Sequence, residues 1–474
     1  LLGETRFMRG MALYFKRHDG EAATTDDFVA AIAEGACLEG EPLGFDLNQF
    51  KRWYEQAGTP TVTVKRTWDS TSGVLRLNLR QSTPPTPGQP QKQPLVIPLL
   101  WTVVPANGEP GEEQLLVFDQ EEHTLELKGL PCSEQPPALS LFRQFSAPVH
   151  WEASQEPAEL FTLLACDNDP FARWDAGQQL WRRLLLARAS GSPNADLEGQ
   201  MLEALTKLLA PDGEQDSAVL STLMAFPGGP ELEALQQEAD PPALYRAACE
   251  LREQFGQSLA PLLRERLNGV APDLALAWPE GQGQRQLTGL VWAWLAAAGD
   301  SAVRKAALAA VGGPSMTLAR AALRALQPLD CPEREEALRQ FHDRWQEKPV
   351  IFDSWFALEA STPRADGLQR VASLLQHPRF DPMAPNAVRA VLGGFAGNLL
   401  VFHAEDGSGY RFMAEQIIAL DQRNAITASR LAKVFSRWGT YSSKRQALVK
   451  AALDQLSAAQ LSSNTREVVQ MMLG

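Results

Sequence analysis

The chain has 474 residues, of which 45% are apolar and 21% charged, and its formal net charge is −13. This is ordinary globular composition, with length enough for about two to four domains and a sizeable core. The negative balance argues against nucleic acid as a partner, because such binding is driven by Lys and Arg neutralising phosphates.

The opening LLGETRF has neither a basic start nor an apolar stretch before a cleavage site, so it reads as neither a starting methionine segment nor a signal sequence. The longest apolar runs, LVIPLLWTVV (95–104) and GLVWAWLAAA (289–298), are half of what a bilayer span requires, so no membrane partner is expected. The cysteines Cys37, Cys132, Cys166, Cys249 and Cys331 are odd in number and scattered, which suits buried free thiols rather than a disulfide framework. A cytoplasmic protein is expected, and a monomer.

Residues 1–58 read as helical. ETRFMRGMALYFKRHDG and TTDDFVAAIAEGA are two amphipathic helices, the second with a Thr cap and acids in its first turn. FDLNQFKRWYEQAG follows, with Phe50, Trp53 and Tyr54 on one side and Asp46 with Gln49 repeating the reciprocal cap. The first two helices have no partner of their own size. They read as the last helices of a domain that lies upstream of Leu1.

From residue 59 to 152 the period changes from 3.6 to 2. TVTVKRTW, VLRLNLRQ, PLVIPLLWTVV, QLLVFDQ, HTLELKG and LSLFRQFSAPVHW are short, β-branched or aromatic segments, which suggests a small β-sandwich. PPTPGQPQKQP (84–94) holds five prolines and reads as a loop.

From 153 to 474 the pattern is helical. Segments alternate with breaks such as GSPN, PDGEQD, FPGGP, GVAPD, QPLDCP and HPRFDPMAPN. Consecutive helices with short connections pack antiparallel, so stacked pairs forming a solenoid are expected, loosely like HEAT or armadillo arrays. No repeat of fixed length is apparent. The fold class is therefore multidomain: mainly α with a small β-sandwich, followed by a large helical solenoid-like domain.

Hydrolytic metal chemistry would need two His at i and i+4, a Glu beside the first and a third ligand downstream. None of His18, His123, His150, His342, His377 and His403 is followed by Glu, and no two lie four apart. Nucleophile-elbow, phosphate-loop and dinucleotide motifs are also missing. HAEDGSGY (403–410) offers a potential base and two acids, or simply a turn between helices. PFARWDAGQQLW (170–181), Trp292 with Trp294, and Trp355 with Phe356 read as core. Arg389, Arg430 and Arg437 lie between apolar neighbours on the final helices and need an acid, a helix carbonyl end or a watery cavity.

FKRWYEQAGTPTVTV, RQSTPPTPGQPQKQPLVIP, FARWDA, PNAVRAVLGGFAG, FHAEDGSGY and ITASRLAKVFSRWGTYSSKRQ resemble bacterial zinc aminopeptidases of the aminopeptidase N type, and the resemblance covers essentially the whole chain. It implies the last helices of a truncated thermolysin-like catalytic domain (1–58), a β-sandwich (59–152) and a carboxyl-terminal helical superhelix (153–474). It also implies that the zinc site, the loop holding the substrate's amino end and a catalytic Tyr all precede Leu1. The fragment itself would carry no catalytic residue, no metal and no cofactor. Its partner would be the upstream catalytic domain of the same chain, with zinc and peptide substrates belonging to the full-length parent. Arg389 and Arg430 match family arginines that face the enclosed cavity. The competing expectation is a stand-alone helical scaffold that binds a protein or peptide partner.

Overall fold

The computed structural model describes residues 1–38, 40–105, 108–268 and 279–474; the expected GVAPD break (269–273) lies outside the described residues. The chain divides into two compact units, Leu1–Gly177 and Gln178–Gly474. It is mainly helical with one small β-sandwich.

In the first unit, α1 (Glu4–His18) and α2 (Thr25–Ala36) cross where glycine meets glycine. A Cβ on Gly35 would lie 2.5 Å from the Gly10 Cα, so only hydrogen at both positions permits this approach. Thr24 and Asp27 form the full reciprocal cap of α2. The cap of α3 (Leu47–Glu55) differs from expectation. Asp46 accepts from the Asn48 and Gln49 amides, but the Gln49 side chain turns away and donates to the Pro94 and Asp119 carbonyls. Those carbonyls have no ladder partner, and satisfying them outweighs closing the cap. Trp53 Nε1–H donates to the Val96 carbonyl at 2.8 Å, which anchors α3 on the strands.

Seven strands follow: β1 (Thr61–Asp69), β2 (Val74–Ser82), β3 (Ile97–Val104), β4 (Gln114–Phe118), β5 (Glu122–Leu127), β6 (Ala138–Leu141) and β7 (His150–Ala153). They form two sheets, ordered β5-β2-β1-β7 and β4-β3-β6. In β2 the period of two is explicit, with Leu75, Leu77, Leu79 and Gln81 buried and their neighbours facing out. The three leucines meet Leu99, Trp101, Phe118 and Leu139 of the other sheet in one core. Buried Gln81 links the sheets, donating to the Leu95, Phe118 and Gln120 carbonyls and accepting from the Leu95 amide.

LSLFRQFSAPVHW is one segment in the sequence but two strands in the structure. Phe142, Gln144 and Phe145 take positive φ, an unfavourable backbone for non-glycine residues. The turn holds because Arg143, 5% exposed, bonds Glu113 (2.7 Å), Asp167 (2.6 Å), Ser140 (3.1 Å) and Asn168 (2.5 Å). A guanidinium buried there needs every one of these partners. Helix α4 (Pro157–Cys166) is joined to the sandwich by Glu159, which pairs with Arg66 at 2.6 Å.

Helix α5 (Pro170–Ala189) runs on into the second unit, where Trp181 is fully buried among Phe226, Phe255 and Trp294. Beyond α6 (Ala195–Leu209), α7 (Ser217–Met224), α8 (Gly229–Ala234), α9 (Pro241–Ser258) and α10 (Ala260–Asn268) come α11 (Gln282–Ala297), α12 (Ser301–Val311), α13 (Met316–Leu326), α14 (Pro332–Trp345), α15 (Pro349–Ala360) and α16 (Gly367–Leu374). Most pack against near neighbours in sequence, as in a helical repeat: α11 on α7, α9 and α13, α12 on α13 and α14, α15 on α14 and α16. Trp292 and Trp294 are buried core side chains.

The chain then passes through a short turn of helix, α17 (Pro385–Val388), and a π-helical turn at Arg389–Gly393, to α18 (Gly394–Ala396) and α19 (Leu399–Phe402). It ends with α20 (Ser408–Asp421), α21 (Ala425–Ala432), α22 (Ser443–Ala458) and α23 (Ser463–Leu473). This last part also returns to α8 and α9, which a simple array would not do. The Ala239 amide donates to the Thr440 carbonyl at 2.8 Å, and Arg437 pairs with Glu233 at 3.3 Å.

Candidate functional site

In α13, MTLARAALRAL, Leu318, Ala319, Ala322 and Leu323 are buried, which leaves Arg320 and Arg324 four residues apart on the exposed side. Helix α15 presents Asp353, Ser354, Ala357 and Leu358 along one face, followed by Ser361. The π turn supplies Arg389 and Ala390. It packs on α15, and the next residue is Gly394, where a Cβ would come 3.1 Å from the Ala357 carbonyl oxygen. One extra residue in a helical turn redirects the side chains that follow, and such insertions recur at functional sites.

These elements enclose an open cleft of about 700 Å³, lined also by Gln327, Val350 and Asn386. Gln327 is fixed in place, donating to Ser361 Oγ (2.6 Å) and to the Leu358 carbonyl (3.2 Å). Arg389 donates to Asn386 Oδ1 at 2.9 Å. Burial pushes the Asp353 carboxyl above its ordinary value, against the opposing pull of the Arg389 charge. Desolvation, and then the Arg320 charge, hold Arg324 below its ordinary value. The cleft therefore carries three guanidinium groups and one carboxyl, with amide and hydroxyl groups between them.

Of the arginines singled out in the sequence, Arg389 lines this cleft. Arg430 lies on α21, which packs on the π turn; it is exposed and is not one of the cleft-lining residues. Arg437 is a scaffold group, paired with Glu233 and donating to the Pro230 carbonyl at 3.1 Å. His403 is buried, with Nδ1 2.7 Å from the Tyr410 hydroxyl, and burial followed by the Arg445 charge lowers its pKa to about 3. It is neutral at physiological pH and faces tyrosine and phenylalanine rings, so HAEDGSGY supplies a packed connection. Phe171 and Trp174 are half-buried and meet at a tilt of 42°, whereas Trp355 stacks on Phe352.

Sequence reasoning missed Arg320, Arg324 and Asp353. The available signal was Arg-x-x-x-Arg on a helix whose other face is apolar. It also missed a histidine pair: His342 Nε2 lies 3.4 Å from His377 Nε2, His342 Nδ1 lies 3.0 Å from Asp343, and the Arg379 amide donates to His377 Nδ1 at 3.1 Å. Two imidazoles and one carboxylate bonded to each other do not supply an open ligand set. No group of three or more His, Cys, Asp or Glu among the described residues is arranged to hold a metal. The donor set of a catalytic zinc centre is not found among the described side chains.

No helix among the described residues is long and apolar enough to cross a membrane. Residues 157–474 match the family model described as a domain of unknown function (DUF3458_C) with ARM repeats, and residues 58–154 match one described as a domain of unknown function (DUF3458) with an Ig-like fold. The chain is 36% identical to aminopeptidase N of Caulobacter vibrioides, with 100% of this chain and 54% of that protein aligned. To aminopeptidase N of Escherichia coli it is 35% identical, over 96% and 53% of the two chains. A crystal structure of Legionella pneumophila aminopeptidase A in complex with aspartic acid superposes with a TM-score of 0.83 at 26% identity, covering 100% of this chain and 55% of that one. The chain thus spans about half the length of the curated relatives it matches.

Proposed function

Because the chain belongs to the DUF3458_C family of ARM-repeat domains, we propose that it is the non-catalytic carboxyl-terminal part of a cytoplasmic zinc aminopeptidase that removes amino-terminal residues from peptides. The observation that carries this reading is similarity to aminopeptidase N along the entire chain, confined to about half of each relative. Residues 1–58 are then the end of the catalytic domain, 59–152 the sandwich and 153–474 the helical cover. The cover encloses the active-site cavity and limits entry to peptides and unfolded tails. Zinc and its ligands belong to the catalytic part of the parent.

The apolar cleft of about 470 Å³ beside α1–α3 supports an upstream partner. Leu1, Leu2, Phe7, Phe28, Phe45 and Phe50 line it, and a free-standing scaffold would leave this surface to water. Arg389 and Arg430, both exposed, are the residues of the cover that meet substrate, pairing with its carboxylate or carbonyls in charge-assisted bonds.

Purified alone, the chain is expected to hydrolyse neither amino-acid anilides nor peptides and to bind no stoichiometric zinc; turnover with bound zinc would overturn the reading. In the full-length parent, Arg389→Ala or Arg430→Ala is expected to raise KM for dipeptides and tripeptides more than for neutral chromogenic amides. Equal effects on both substrate classes would leave these arginines as scaffold.

A further inference from the structure

Several arginines close to the cleft in sequence are neutralised by acids. Arg334 pairs with Glu335, Arg364 with Asp330 and Asp366, and Arg370 with Asp366 and Glu359. Arg320, Arg324 and Arg389 instead converge on one cleft without such a partner. No carboxylate pairs with any of them among the described residues, although 57 acidic side chains outnumber the 44 basic ones in the chain. Arg320 and Arg324 sit four apart on one helix face, a like-charge spacing that destabilises a helix. Three guanidinium groups around one concavity, set against the single Asp353 carboxyl, make a local positive field in a protein of net charge −13.

The rest of the lining narrows the class of anion. The cleft has no aromatic lining residue on which a nucleobase could stack. Its volume far exceeds that of a single inorganic anion. Asp353 would repel a dense polyphosphate, whereas a backbone N–H can donate to it. Gln327, Asn386, Ser354 and Ser361 offer the mixed donors and acceptors that amide groups require. At the rim, Val350 is 80% exposed and Leu358 lines the wall, which gives an apolar contact to a side chain.

We infer that this cleft is a binding site for a short acidic peptide segment, whose side-chain carboxylates are held by Arg320, Arg324 and Arg389. The peptide character of the ligand rests on the function proposed above. The site itself needs no catalytic domain, because every lining residue lies within Gln178–Gly474.

The test is calorimetric titration of this chain with Ala-Glu-Glu-Ala capped at both ends, against the capped Ala-Gln-Gln-Ala analogue and inorganic phosphate. Saturable binding of the acidic peptide is expected, at least about tenfold tighter than either control and weakening as salt rises. Arg324→Gln and Arg389→Gln are each expected to weaken it about tenfold, since each removes charge-assisted bonds. Asp353→Asn should tighten it by about threefold through relief of repulsion. Arg423→Gln, at an exposed arginine outside the cleft, should leave it unchanged. The proposal is overturned if the neutral peptide or phosphate binds as well, if Arg423→Gln weakens binding as much as Arg324→Gln, if Asp353→Asn weakens it, or if nothing saturates. Because both peptides lack a free amino end, this outcome is independent of whether the parent is an aminopeptidase.

Discussion

His403 should make the helical unit sensitive to acid. The side chain is 4% exposed, and its folded pKa of about 3 stands against an unfolded value of about 6.5. As pH falls through about 6.5 the unfolded chain takes up a proton that the native chain refuses, so the unfolded state binds more protons and stability falls. The loss grows until the native pKa of about 3, where it levels off. At about pH 5 the gap from 6.5 is roughly 1.5 units, worth about 2 kcal/mol at 1.36 kcal/mol per unit, with an upper limit of about 5 kcal/mol in full acid. His403→Asn removes the titration and keeps a polar group near Tyr410, at a cost of about 1–2 kcal/mol at neutral pH from the smaller volume and altered hydrogen bond. Urea unfolding of wild type and variant, followed by far-ultraviolet circular dichroism from about pH 7.5 to about pH 5, measures the difference. Wild type should lose about 2 kcal/mol more than the variant over that interval. Parallel curves would show that His403 is not desolvated as described and would refute the reasoning.

Three further outcomes follow from packing and hydrogen bonding. Asp167→Ala removes a fully buried partner of Arg143 and should destabilise the first unit by about 3–5 kcal/mol, read as a lower urea midpoint. Gly35→Ala puts a methyl against the Gly10 backbone, which no rotamer change relieves; a loss of about 1–3 kcal/mol is expected, measured by the same unfolding. The Arg379 amide donates to His377 Nδ1, so at neutral pH that ring must carry its proton on Nε2 and give it to His342 Nε2. Two-bond nitrogen–proton correlation spectra of histidine-labelled protein should show His377 as the Nε2–H tautomer, and the opposite tautomer would discard this chain of bonds.

What the sequence determined by itself was set by forces that act over a few residues. The Thr24–Asp27 cap, the glycine and proline breaks, and the alternation of Leu75, Leu77, Leu79 and Gln81 each need only near neighbours. The array of helices, the presence of a sandwich and the proline-rich loop at 84–94 could therefore be read directly, and the resemblance of whole strings carried the family. Tertiary structure decided what depends on distant partners. Gln49 leaves its cap to donate to carbonyls 45 and 70 residues away that have no ladder partner. The segment at 139–151 breaks into two strands because Arg143 must reach Glu113, Asp167 and Asn168. Arg437 is neutralised by Glu233, far back in the chain, whereas Arg389 meets Arg320 and Arg324 across a cleft built from three separate segments. An arginine between apolar neighbours looks the same in a sequence whether it ends in an ion pair or in open water. Only the packing of helices brings an acid within reach or withholds it, and that separates the scaffold arginine from those of the candidate site.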